Sequence, residues 1–383
     1  MFRLIYIAFL ALLITACSPS ESQDKKPQKV KGSYVVALSI SDDGQYVITS
    51  NLNQNAYLWN LSNQTYRKVN TQPVNIYSAN FIKGTDDFIY QNDQTNEVYV
   101  VDAATLKTIK TFNPKFATYG QAFSTNLKYY AASENKQLMH IFNLKDHSEA
   151  INGREYQYYA GTGLLMRPQF TGNYVYTTTG GGEFWIWDLN HIKDWKKIIK
   201  NVGPTMNALS PDGRYVYTAD PMFRSVQYNI KTGKTLLTFI NWPKLKNKST
   251  RLSNLRFIDQ THFLATYGSA PYPYMYAGLY NVNDLRPYKD DRLPYKDLWA
   301  HHEIPIKKLL PLVPDPHKFS SGGYGEIKYP YPITGGYNMA FDTSASTHTL
   351  AVAQANGNGI MVYKFNPKTE KLKLIWTPRL ENE

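Results

Sequence analysis

The chain has 383 residues and a net charge of +12, from 42 Lys and Arg against 30 Asp and Glu, and it contains one cysteine. A lone cysteine excludes an internal disulfide, a cysteine-rich zinc site and a cysteine-ligated cluster. Stability must come from burial, and a chain of this length can bury a large core.

The first residues fall into three zones. Arg3 is basic, Leu4 to Ile14 is apolar, and small residues lead up to Cys17. That order is a secretory signal, and the run is shorter than the roughly 20 residues a membrane helix needs. Ile14-Thr15-Ala16-Cys17 resembles the lipobox of bacterial lipoproteins. The resemblance implies that residues 1–16 are a removed signal and that Cys17 becomes a lipidated N-terminus carrying palmitate-type acyl chains. Ser18 and Pro19, rather than Asp, then imply the outer membrane, facing the periplasm. Residues 17–31 hold almost no apolar side chain and read as a flexible tether spanning on the order of 20 Å.

From residue 32 to 383 a unit of roughly 40 residues recurs. Its marker is a β-rich run closed by Asn or Asp and an apolar residue. The instances end at Trp59-Asn60-Leu61, Val101-Asp102-Ala103, Phe142-Asn143-Leu144, Trp187-Asp188-Leu189, Tyr228-Asn229-Ile230 and Tyr280-Asn281-Val282, with a looser Tyr363-Lys364-Phe365. Before each marker lie two β-forming runs separated by a turn signal, clearest at Ser41-Asp42-Asp43-Gly44 and Ser210-Pro211-Asp212-Gly213. A further run follows each marker, as in Leu106 to Phe112. Four short strands per unit in seven units predict an all-β fold, a seven-bladed β-propeller. The aromatic residue before each Asn or Asp is expected to wedge between blades. The Asn or Asp is expected to bond backbone two residues on, a turn-forming role rather than a catalytic one.

The repeats, from Tyr34 to Trp376, resemble WD-repeat and YVTN-type propellers. Trp187-Asp188 is a literal Trp-Asp pair, whereas the Gly-His pair of standard WD repeats is missing, so the buried His network of that family is not expected. Asp102-Ala103-Ala104-Thr105 and Asn229-Ile230-Lys231-Thr232-Gly233-Lys234 also resemble quinoprotein-type propeller repeats, which keeps an eight-bladed relative in view.

The spacing breaks after Asn281, with the next marker at Lys364. Residues 284–337, rich in Pro, Tyr, Gly and Lys, read as a long loop between blades six and seven. Ile304 to Val313 is the one β-forming stretch inside it, and its prolines are unsuited to a central strand. Tyr272, Tyr274 and Tyr276 beside the insertion, with Trp299, Tyr324, Tyr329 and Tyr331 within it, are a candidate interaction surface, since large stiff aromatics anchor interfaces. Packing of the same rings against the rim is the competing use. Charge is also uneven. No acid lies between Asp220 and Asp259, and Lys244, Lys246, Lys248, Arg251 and Arg256 form a candidate basic face for anionic glycolipid or an acidic protein. Nucleic acid is not expected for an exported chain.

No catalytic set emerges. His301-His302-Glu303 has poor metal-ligand spacing, and Gly180-Gly181-Gly182 lacks the Lys-Ser or Lys-Thr of a phosphate loop. No metal or cofactor is expected. The leading reading is a non-enzymatic, membrane-anchored scaffold that docks an envelope protein. The alternatives are a lactonase-like or quinoprotein-like enzyme or small-ligand binder at the central channel, and a glycolipid binder using the basic face.

Overall fold

The computed structural model describes residues 35–134, 138–152, 168–178, 184–191, 196–199, 206–219, 224–240, 251–268, 276–287, 302–312, 341–353 and 359–378. They form strands and turns, with no helix among them.

Blade one is β1 (Val35–Ile40), β2 (Tyr46–Asn51), β3 (Ala56–Asn60) and β4 (Thr65–Lys68). Blade two is β5 (Asn80–Phe81), β6 (Asp87–Gln91), β7 (Val98–Asp102) and β8 (Thr108–Phe112). Blade three is β9 (Thr118–Phe123), β10 (Tyr129–Glu134), β11 (Leu138–Asn143) and β12 (Glu149–Ile151). Blade four is β13 (Gln169–Thr171), β14 (Tyr174–Thr178), β15 (Phe184–Asp188) and β16 (Lys196–Ile199). Blade five begins with β17 (Met206–Leu209), β18 (Tyr215–Ala219), β19 (Arg224–Asn229) and β20 (Thr235–Ile240). β21 (Arg251–Phe257), β22 (His262–Gly268) and β23 (Tyr276–Asn281) open blade six. After them come β24 (Arg286–Pro287), β25 (His302–Ile304) and β26 (Ile306–Pro311). Blade seven is β27 (Phe341–Ser344), β28 (Thr349–Ala353), β29 (Ile360–Asn366) and β30 (Lys371–Trp376).

Each blade contains four antiparallel strands in order, so the expected seven four-stranded blades are present, the fifth extended at its outer edge. The second and third strands are covered on both faces and read as apolar runs, such as Tyr57-Leu58-Trp59, whereas outer strands such as β4 and β30 are mostly exposed. The apolar clusters sit between blades rather than within them. One bridges each junction, from blades one and two round to blades seven and one. The expected wedging aromatics lie in these clusters, with Trp59, Trp187 and Tyr280 fully buried.

The marker Asn and Asp residues do what their chemistry predicts. The Oδ1 atoms of Asn60, Asn143, Asp188 and Asn281 accept from the backbone N–H two residues on, at 3.0, 3.0, 2.9 and 2.9 Å. Asp102 and Asn229 accept from the third residue. In blade seven, Lys364 holds the marker position and its Nζ donates to Thr347 O and Thr349 Oγ1. The turn bond is instead donated by Lys368 N–H to Asn366 Oδ1 at 2.9 Å.

The insertion differs from the sequence expectation. It opens inside blade six, between the third and fourth strands, because β26 pairs with β23 and is that blade's outermost strand. Proline is tolerated at such an edge, where one side of the ladder has no partner to receive an N–H. Just before it, β25 runs parallel to β20, and β24 pairs with β25, so blade five has six strands. Pro305 alone separates β25 on blade five from β26 on blade six, and Ile304 is buried in the core between those blades. The segment therefore ties two blades together. Residues 313–340 lie outside the described residues.

Among the described residues blade one is wholly N-terminal and blade seven wholly C-terminal, with no strand exchanged between them. Closure rests on the seventh apolar cluster, where Trp59 meets Trp376 with ring centroids 6.2 Å apart, and on polar contacts at the turns. Ser344 Oγ donates to Asp42 O at 2.7 Å.

The turn Ser41-Asp42-Asp43-Gly44 needs glycine twice over. Gly44 has φ +65°, and a Cβ there would lie 2.1 Å from Thr347 Oγ1 of blade seven, a hydroxyl already bonded to Ser344 and Thr349. Gly213 occupies the same turn in blade five with φ +69°, yet its nearest neighbour is 3.2 Å away. Gly213→Ala should therefore lower stability by about 1–2 kcal/mol, the cost of a left-handed backbone. Gly44→Ala should lower it by on the order of 3 kcal/mol, since it adds overpacking at the seam. Urea denaturation of both variants checks this, and equal losses would remove the seam from the explanation.

Candidate binding site at the axial mouth

The seven innermost strands converge on the propeller axis, and the face bearing the turns between first and second strands opens into a cavity of about 350 Å³. Each innermost strand contributes one residue in equivalent register: Ser39, Asn80, Ala122, Gln169, Ala208, Arg256 and Asp342. An innermost strand packed on both sides is expected to be apolar, yet five of these seven positions are polar or charged. Lys83 and Asp42 add charges from the turns.

The polar groups form a belt that crosses blade junctions. Arg256 Nε donates to Asp342 Oδ1 at 3.0 Å, and its Nη1 donates to Asn207 O and Leu255 O. Asp342 Oδ2 accepts from Ser39 Oγ and from Ile40 N–H, both at 3.1 Å, which joins blade seven to blade one. Ser39 Oγ in turn accepts from Phe81 N–H, and Gln121 Nε2 donates to Ser78 O. On the far side Gln169 Nε2 donates to Asn207 Oδ1 at 3.1 Å. The Arg256 and Asp342 side chains are only 22% and 19% exposed, so their mutual neutralisation matters.

Two groups in the mouth are left over. Asn80 Oδ1 is buried and accepts no hydrogen bond among the described residues, while its Nδ2 donates to Phe81 O at 3.3 Å. Lys83 Nζ has neither hydrogen bond nor ion pair among them, and Asp42 Oδ2 instead accepts from Gly84 N–H at 2.5 Å. Lys83 is exposed by surface area but ringed by the channel wall. Desolvation therefore holds its pKa below the ordinary lysine value, against the opposing pull of Asp42 and Asp342.

Elsewhere, His140 is buried between Glu134 and Glu149 on blade three, a satisfied structural histidine. Among the described residues no group of three His, Cys, Asp or Glu side chains is placed to hold a metal. His302 and Glu303 are successive residues of a strand and so point to opposite faces, and Glu303 is engaged by Arg286 Nε at 2.5 Å.

Arg256 lies in the mouth, tied to Asp342, and not on an outer basic face. Arg251 starts β21 and Tyr276 starts β23, with side chains beyond what is described. Cys17, Lys244, Lys246, Lys248, Tyr272, Tyr274, Trp299, Tyr324, Tyr329 and Tyr331 lie outside the described residues, as does His301. Sequence reasoning missed Asn80, Lys83, Gln169 and Asp342. The signal available was the polar residue in the same register of five innermost strands.

The fold has many solved counterparts. The β-propeller domain of Myceliophteria thermophila Cps50 (Swd1) superposes with a TM-score of 0.58 at 12% identity, covering 88% of this chain and 98% of that one. Kluyveromyces lactis Hsv2, solved with a complete loop 6CD, gives 0.56 at 11% identity, covering 91% and 99%. The WD40 repeats of RRP9 give 0.54 at 10% identity, covering 84% and 87%. By fold the chain is a seven-bladed β-propeller. Identities this low carry the architecture and nothing about ligands. No protein-family model and no curated protein sequence matches the chain.

Desolvation of the Lys83 ammonium opposes folding. Because the folded pKa of Lys83 is lowered, the unfolded chain binds more protons between that lowered value and 10.5, and stability rises with pH across that window. Lys83→Met should be at least as stable as the parent at pH 7 and should lose part of this alkaline rise. Denaturation at pH 7 and 10 reads both, and a less stable Lys83→Met at pH 7 would make the lysine structural.

Proposed function

We propose that the chain is a non-enzymatic interaction scaffold, held to a membrane of the bacterial cell envelope by acyl chains on Cys17, that docks an envelope protein at the axial mouth. The observation that carries the docking site is the convergence of all seven blades on one polar cavity that contains unsatisfied groups, where convergent polar atoms in a concave site can fix a ligand's orientation. The WD40-type fold supports a scaffold role by analogy of architecture. The anchor rests on Ile14-Thr15-Ala16-Cys17 and the tether that follows it.

A second reading shares the site. The same polar lining suits a small ligand, the channel-centred alternative raised by the sequence. A glycolipid site would draw on Lys244, Lys246, Lys248 and Arg251, since the charge of Arg256 is matched by Asp342.

A photo-crosslinking residue placed at Gln260, exposed at the mouth, should capture one discrete protein in intact cells, and one at Ile109, exposed on the outer edge of blade two, should not. Capture from Ile109 alone, or from neither site, would refute docking at the mouth. Cys17→Ser should shift the folded protein from the membrane fraction to the soluble fraction. Retention in the membrane would remove the acyl anchor.

A further inference from the structure

Strand direction fixes where the chain's leash joins the ring. β1 is the innermost strand of blade one and runs from Val35 to Ile40, and its last residues, Leu38, Ser39 and Ile40, line the mouth. Val35 therefore lies at the opposite end of the strand, paired with Asn51 beside the turn that joins β2 to β3. Six residues at about 3.3 Å each put roughly 17–20 Å between that end and the mouth. Because β1 is innermost, the chain enters close to the propeller axis, like a stem at the centre of the face away from the mouth. Leu52 in the adjoining turn is 46% exposed. The other exposed large apolar side chains among the described residues, Ile109, Leu374 and Ile375, sit on outer edge strands, and none lines the mouth.

On the reading that acyl chains on Cys17 anchor the chain, we propose that the leash holds the Val35 face toward the lipid surface of the anchoring membrane and presents the mouth to the compartment beyond it. Val35 is 18 residues on from Cys17, a coil with an average span of roughly 23 Å and a full extension of roughly 60 Å. With the Val35 face toward the membrane the coil is unstretched. To turn the mouth onto the membrane, the leash has to pass outward along a blade of four strands, each about 4.8 Å from the next, and then down the blade's height, roughly 35 Å in all. A coil held at more than half of its full extension has lost most of its conformations, so the inverted orientation should be populated roughly tenfold less. Leu52 is the apolar side chain that the Val35 face offers to the headgroups. The partner docked at the mouth is therefore a polypeptide that reaches it from the soluble phase, not one embedded in the leaflet that holds the anchor.

Energy transfer from the protein to labelled lipid tests this. With Cys17 taken up by the lipid, an introduced cysteine is the only free thiol, so a single fluorescent donor can be placed just beyond either end of β2. Leu52→Cys marks the Val35 face and Gln45→Cys the mouth face, and both positions are exposed. The full lipidated chain is reconstituted on vesicles of phosphatidylethanolamine and phosphatidylglycerol that carry an acceptor on a lipid headgroup. Transfer should be several-fold stronger from Leu52→Cys than from Gln45→Cys. Inserting about 40 Gly and Ser residues after Lys31 should bring the two positions closer together, since a longer coil no longer restrains the ring. Equal transfer from the two positions with the native leash, or stronger transfer from Gln45→Cys, would overturn the proposal. A difference that the longer leash leaves intact would overturn the leash as its cause, in favour of direct lipid binding by that face. The anchor reading fails separately. Cys17→Ser with the donor at Leu52→Cys should stay in solution and show no transfer, and vesicle binding by that variant would remove the acyl anchor.

Discussion

Asp342 is where the ring holds itself shut. Among the described residues the first and last blades share no sheet and meet through side chains and turns. One carboxylate on the innermost strand of blade seven takes the Arg256 guanidinium from blade six on one oxygen and two donors from blade one on the other. Beneath it lies the aromatic and aliphatic seam of Trp59, Trp376, Val362 and Ile360. Burial supplies most of the energy there, as elsewhere in the fold, but apolar contact is non-directional. The carboxylate adds the directionality that fixes how blade one sits on blade seven.

The same contact shapes the candidate site. With Asp342 and Arg256 satisfying each other, and Ser39, Asn207 and Gln169 drawn into the belt, most polar atoms at the mouth are committed to structure. Asn80 Oδ1 and Lys83 Nζ stand out because the belt passes them by. A partly desolvated lysine with no hydrogen bond or ion pair among the described residues runs against the consistency that local and global choices show in the rest of the propeller, and such departures concentrate at functional positions. Site and closure are thus two uses of one ring of residues.

The architecture was legible because every blade repeats the same local solution. Trp59-Asn60, Phe142-Asn143 and Trp187-Asp188 each pair a ring that fills a blade junction with a side chain that closes the next turn, and both roles follow from residue chemistry. The insertion was misread because the pairing of β25 with β20 joins residues far apart in sequence. A proline-flanked edge strand also carries little of the alternation that identifies inner strands. Lys364 marks its blade loosely because β29 continues two residues further, to Asn366. The mouth escaped notice for a different reason. Turns of unequal length, such as the short Gly172-Asn173 connection in blade four, hide the common register of Ser39, Asn80, Gln169, Arg256 and Asp342 until the strands are paired. Arg256, grouped by sequence with a run of basic neighbours, belongs to that register.

Amide hydrogen exchange on Asp342→Asn probes the seam most directly, since it resolves local opening from global unfolding. If the carboxylate orders the closure, exchange should accelerate in β1, above all at the Ile40 N–H that Asp342 accepts, and in β27 and β28, while β14 and β18 on the opposite side of the ring keep their protection. An unchanged pattern, or a uniform acceleration around all seven blades, would show that the ring is held by burial alone and that Asp342 has no special part in closing it.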